Sequence, residues 1–89
     1  MTGKTVSKQQ VLVVAVFIAE PQQWHESRGI EHKTGVPGST VRHLLLTLSR
    51  LGILDRSEVF GGYRYRLSST ARAQPYFGRL QEASAVMHT

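Results

Sequence analysis

The sequence predicts a mainly α fold that carries one small β-wing, and three observations predict it. Val11 to Ala19 is an unbroken run of nine apolar residues, closed off by Glu20 and Pro21. A tight turn at Thr34-Gly35-Val36-Pro37 leads into a stretch whose Val41, Leu44, Leu45, Leu48 and Leu51 recur at helical spacing. Directly after it, Ile53 to Val59 and Tyr63 to Leu67 read as strands on either side of Phe60-Gly61-Gly62. Helix, turn, helix and hairpin in that order make a winged helix-turn-helix: a three-helix core, a two-stranded hairpin and an additional C-terminal helix.

Ser7 is placed to cap a first helix that runs to about Glu20 and is stopped by Pro21. A helix that is apolar all round needs cover on more than one side, and a second subunit is expected to supply part of it. Pro21 to His25 reads as a loop or very short strand, with Trp24 docking inward. Ser27 then caps a short second helix, about Arg28 to Lys33, anchored by Ile30. The third helix spans about Pro37 to Leu51, and Gly52 ends it as a glycine just past a helix terminus does. In the second strand Tyr63, Tyr65 and Leu67 alternate with Arg64 and Arg66, so one face packs and the other presents guanidinium groups. The last helix begins near Gln74, takes Pro75 in its first turn, and carries Tyr76, Phe77, Leu80, Ala83 and Val86 or Met87 at helical spacing.

A chain of 89 residues with 40% hydrophobic composition has room for one modest core, so residues 1–89 are expected to form a single domain with 1–6 and 88–89 as frayed ends. The formal charge of +5 and a pI near 10.3 point to an anionic partner, nucleic acid before a membrane surface. Cysteine is absent, which removes disulfides, thiolate chemistry and Cys-type zinc sites. The apolar run is about half of the ~20 residues needed to cross a bilayer. Glu20-Pro21-Gln22-Gln23 follows it where a secretory signal would place small residues, so the expected location is cytoplasmic, and nucleoid-associated if the source is bacterial.

Ser39, Thr40, Arg42, His43, Thr47 and Arg50 give the third helix a polar face with cationic ends, the side-chain types that reach base edges and phosphates from a major groove. Leu46 sits in the middle of that face, where it could meet a thymine methyl or a protein partner. Arg64 and Arg66, followed by Arg72 and Arg79 with no acid between Val59 and Gln81, suit phosphate or a narrow minor groove. The bland readings are a solvated helix face and a charged edge strand. Val14, Phe17, Tyr76, Phe77 and Leu80 are the candidate dimer interface.

Catalytic and metal readings find little support. Gly3-Lys4-Thr5 has the ending of a phosphate-binding loop without the upstream glycine or strand that builds one. His25, His32, His43 and His88 lack zinc-site spacing, and no carboxylate pair or activated nucleophile stands out. No catalytic residue, metal or cofactor is assigned.

From Arg28 to Ser68 the sequence resembles the winged helix-turn-helix domains of IclR-type and related MarR-like transcription regulators. The resemblance rests on Thr34-Gly35-Val36-Pro37-Gly38-Ser39-Thr40-Val41, Leu44-Leu45-Leu46-Thr47-Leu48, Leu51-Gly52 and Tyr65-Arg66-Leu67. It implies a recognition helix at about Ser39 to Leu51, a wing at about Ile53 to Leu67, and duplex DNA as ligand. The chain departs from that pattern at His43, where such domains usually carry Arg, and at Glu31, where the first helix of the motif usually offers a small Ala. Full-length IclR-type regulators also carry a large effector-binding domain, for which this chain has no room.

The expected function is therefore sequence-specific binding of double-stranded DNA by a small transcription regulator acting as a homodimer, without a small-molecule effector domain. A protein-docking winged helix using Leu46 is the alternative from another class. An architectural or recombination accessory protein is a third.

Overall fold

A computed structural model describes residues 7–87. The expected frayed ends lie outside the described residues, as do Gly3-Lys4-Thr5 and His88. Helix α1 covers Lys8–Ala19, α2 covers Ser27–Thr34 and α3 covers Gly38–Arg50. Strands β1 (Leu54–Val59) and β2 (Gly62–Leu67) form the antiparallel wing, and a 3₁₀ turn at Ala71–Ala73 leads into α4, Pro75–Met87. The winged helix-turn-helix reading holds, with the additional C-terminal helix.

The Ser7 side chain accepts the Gln10 amide at 3.0 Å and so caps α1 as expected. Most of the apolar circumference of α1 is covered by its own chain. Val11, Val13, Val14 and Phe17 are buried, Leu12, Val16 and Ile18 are half-buried against the same core, and α4, α2, α3 and β2 pack around the helix. This corrects the proposed dimer interface: Val14, Phe17, Phe77 and Leu80 are all within 2% of full burial inside one copy. Tyr76 alone of the five keeps exposed surface, and its hydroxyl donates to the buried Gln10 carboxamide oxygen.

Ser27 is the first helical residue of α2 rather than its cap; Glu26 holds the cap position without a side-chain bond. Ile30 is the buried anchor, as the sequence implied. Thr34 Oγ1 donates to the Ile30 carbonyl at 2.7 Å and accepts the Val36 amide at 3.2 Å, stitching the end of α2 to the turn. Gly35 sits at φ 76° there, a left-handed conformation that a Cβ would strain. Glu31 is accommodated because it is exposed and lies over Gly38, its Oε1 2.9 Å from where a Cβ on Gly38 would stand.

Helix α3 buries Val41, Leu45 and Leu48, with Leu44 half-buried. Leu51, expected on the same face, is 43% exposed because the helix ends at Arg50 and Gly52, at φ 80°, turns the chain away. The Ile53 amide then bonds the Leu48 carbonyl at 3.0 Å, which directs Ile53 and Leu54 into the core.

Candidate nucleic-acid interface

The interface is built from the side of α3 opposite Val41, Leu45 and Leu48. Ser39, Arg42, His43 and Arg50 are exposed there, and Thr40 and Leu46 are half-buried. Leu46 does not join the core cluster, so its side chain belongs to the outer face. Thr47, which the sequence placed among the contact residues, is half-buried and lines a groove of about 660 Å³ with Gln10, Leu51, Tyr76 and Arg79, between α3 and the α1–α4 pair. Among the described residues, ion pairs form only around Glu20, which holds Lys33 at 3.0 Å and approaches His25 at 3.8 Å. The cations of α3 thus have no acid paired with them among the described residues, on a helix face that otherwise presents hydroxyls, an imidazole and Leu46.

The wing is a two-residue turn, Phe60-Gly61, between Val59 and Gly62, with Gly61 at φ 89°. Phe60 is fully exposed at its tip, a placement that the turn chemistry of Phe60-Gly61-Gly62 does not disclose. Tyr65 is buried and Leu67 half-buried, so alternation along β2 puts these toward the helices. Near the tip Tyr63 escapes to 44% exposure and stacks under Arg56, whose guanidinium lies 4.4 Å from the ring centroid.

Residue 25 adds a third strand segment. The His25 amide donates to the Tyr65 carbonyl at 2.7 Å, and the Tyr65 amide donates back at 2.8 Å, so β2 has partners on both edges. This pairing turns the inward position over to His25 and corrects the expectation for Trp24. The His25 ring is buried edge-on against Phe17, centroids 5.0 Å apart and planes at 78°. Trp24 lies half-buried on the opposite face of the sheet, under the guanidinium groups of Arg64 and Arg66.

Nε2 of His25 is buried with no hydrogen-bond partner among the described residues. Burial holds the imidazole pKa below its ordinary 6.5, with Lys33 pushing the same way and Glu20 opposing both. Glu20 itself is held low by its hydrogen bond to Lys33 and by that ammonium's charge. Because the folded His25 pKa is depressed, the unfolded chain takes up the proton first as pH falls. Stability should therefore be full above pH 6.5 and decline as pH drops from there toward the folded value. Urea unfolding of the wild type and His25→Phe across that range checks this: the wild-type midpoint should fall with pH and the variant's should fall less. Parallel curves would contradict it.

The comparisons with known proteins agree with this geometry. The IclR helix-turn-helix domain matches residues 13–58, which is 46 of the 89 residues. A possible transcriptional regulator from Methanosarcina mazei Go1 superposes with a TM-score of 0.68 at 23% identity, covering 92% of this chain and 72% of that one. The PcaV transcriptional regulator of Streptomyces coelicolor, solved with its natural ligand, gives 0.67 at 24% identity, over 99% of this chain and 62% of its own. BpsR of Bordetella bronchiseptica, whose DNA binding is regulated by 6-hydroxynicotinic acid, gives 0.64 at 17% identity, over 89% and 61%. The chain thus spans between 61% and 72% of the length of these three structures. No curated protein sequence matches it significantly. At these identities the structures establish the winged-helix fold alone. The family match runs from α1 through α2 and α3 into the first wing strand, in the order the motif requires and over more than half of the chain; on that ground the chain belongs to the IclR helix-turn-helix domain family.

Proposed function

We propose that this chain is a sequence-specific double-stranded DNA-binding transcription regulator that lays α3 in the major groove. The observation that carries the reading is the outer face of α3, where exposed Ser39, Arg42, His43 and Arg50 surround Leu46 and no acid among the described residues pairs with the cations. Arg42 and His43 are assigned to base edges, Ser39 and Thr40 to the entry of the helix into the groove, and Arg50 to phosphate. Thr47 is left out of the set, since it lines the groove behind the helix. Fluorescence anisotropy of labelled duplex against salt is the test. Affinity that falls steeply and linearly in log–log form supports the reading, and a salt-independent interaction contradicts it.

Phe60 extends the proposal to the wing tip, where an apolar wedge can enter a minor groove. Phe60→Ser should change unfolding free energy by no more than about 0.5 kcal/mol, because the side chain is fully exposed, while weakening duplex binding. Unchanged binding would take the tip off the DNA.

Assembly as a homodimer belongs to the same proposal, but on a surface other than the buried α1–α4 contact. Exposed Leu51 and half-buried Tyr76 line the groove between α3 and the α1–α4 pair and leave apolar surface accessible there. Two copies would present α3 to half-sites about 34–36 Å apart, one turn of duplex. Sedimentation at micromolar concentration reads this directly. The compartment is the one that holds DNA, which for a bacterial source is the cytoplasm.

Leu46 favours one second reading, a winged helix that docks on a protein through α3, since a half-buried leucine outside the core also suits a protein contact. A stable heteromer insensitive to salt would support it in place of DNA binding.

A further inference from the structure

Two arginines on one strand face repel each other unless something holds them, and proteins commonly hold them with a carboxylate. Here the residues facing them across the hairpin are Ser57, opposite Arg64, and Asp55, opposite Arg66. Asp55 makes no ion pair with Arg66; among the described residues only Glu20 forms ion pairs. The holding element is Trp24. Its ring centroid lies 4.4 Å from the Arg66 guanidinium carbon and 5.4 Å from that of Arg64.

The difference between an acid and an indole is chemical. A carboxylate would neutralise the charge and occupy the N–H fork. An indole face attracts the cation through its ring quadrupole while neutralising nothing, and contact with a π face leaves the N–H edge of the guanidinium free to donate. Among the described residues no hydrogen bond uses those edges. The arrangement keeps two fully charged, donor-rich groups in place at reduced conformational freedom, ready for an anion from outside the chain. Trp24 reaches this position by parity: the two-bond pairing of His25 with Tyr65 turns His25 inward, so its neighbour must stand on the arginine face of β2. Beside it, Trp24, Arg28, Lys33 and Arg64 share a shallow recess of about 550 Å³, with Glu26 the acid on its rim. Lys33 is engaged by Glu20, which leaves Arg28 to extend the cationic surface.

We infer that the outer face of the sheet is a phosphate-backbone contact surface in which Trp24 is the positioning residue for Arg64 and Arg66. The inference rests on the DNA-binding reading above, in which the wing arginines meet phosphate, and adds to it the residue that positions them. Trp24 touches no base; it acts through the two guanidinium groups, and its contribution is the same on any duplex sequence.

The test is a mutant cycle on a random-sequence duplex, read by anisotropy at several salt concentrations, with tryptophan emission as a second signal. Trp24 is the chain's single tryptophan, so its emission reports this surface alone. Trp24→Leu should weaken binding about tenfold, because two freed arginine side chains must then be ordered on binding, and Trp24→Phe should restore much of it. In an Arg64→Gln/Arg66→Gln background, Trp24→Leu should cause no further loss. Wild-type emission should change when duplex is added, and that change should vanish in the Arg64→Gln/Arg66→Gln protein while binding through α3 persists. Loss from Trp24→Leu that adds fully to the arginine changes, or an emission spectrum that duplex leaves untouched in the wild type that binds it, would overturn the inference. Arg64→Gln/Arg66→Gln leaves the tryptophan in place and so remains informative even if Trp24→Leu fails to fold. A wild type that binds no duplex under any salt condition would instead remove the DNA-binding reading, and this inference with it.

Discussion

Phe77→Glu is expected to unfold the chain. Phe77 is 2% exposed on α4, which packs against α1, and belongs to the same core as fully buried Phe17 and Leu80. Removing an aromatic side chain from such a site costs about 3–5 kcal/mol, and an unpaired carboxylate in its place adds a desolvation penalty or takes up a proton. A domain of this size has about 4–13 kcal/mol of stability in total. Circular dichroism and urea titration should show loss of the cooperative transition, or a midpoint moved sharply down. A folded variant with a wild-type midpoint would mean that Phe77 is at a surface in solution and that α4 packs on something other than its own α1.

The second large effect is expected on α3. Arg42→Ala should weaken binding to the preferred duplex by about 1–3 kcal/mol more than to random duplex if the guanidinium reads a base edge. His43→Ala should act in the same direction. Both side chains are exposed and bonded to nothing among the described residues, so unfolding free energies should stay within about 0.5 kcal/mol of wild type. Equal losses on the two DNAs would assign these residues to phosphate and leave sequence discrimination to other positions.

The contrast between these two helices shows what a sequence carries and what it omits. The outer face of α3 was legible because its inward residues follow helical periodicity and a Gly-Val-Pro turn fixes where it starts. Only Leu51 and Thr47 went astray. Leu51 extends the apolar stripe by spacing, but the helix stops one residue short of it; Thr47 is polar, yet its angle on the helix turns it toward α1 and α4. Helix α1 was legible as a helix and illegible as a packing partner. Nine apolar residues require cover on every side, but nothing in the run says whether α4 of the same copy or a second copy supplies it. Local chemistry could not place Trp24 and His25 either. Size and apolarity put the tryptophan inside, whereas a backbone pairing forty residues along the chain sets which of two neighbours faces the core. Phe60 was missed because turn chemistry explains the glycine after it and says nothing about the side chain presented at the tip.

Selection of bound duplexes from a random pool at moderate salt tests the central claim, that the outer face of α3 reads DNA sequence, most directly. The account predicts enrichment of a defined motif, arranged as two related half-sites about one helical turn apart if the chain acts as a dimer, with enrichment lost in Arg42→Ala. Retention of the pool with no sequence enriched, or the same motif enriched equally by Arg42→Ala and His43→Ala, would contradict it.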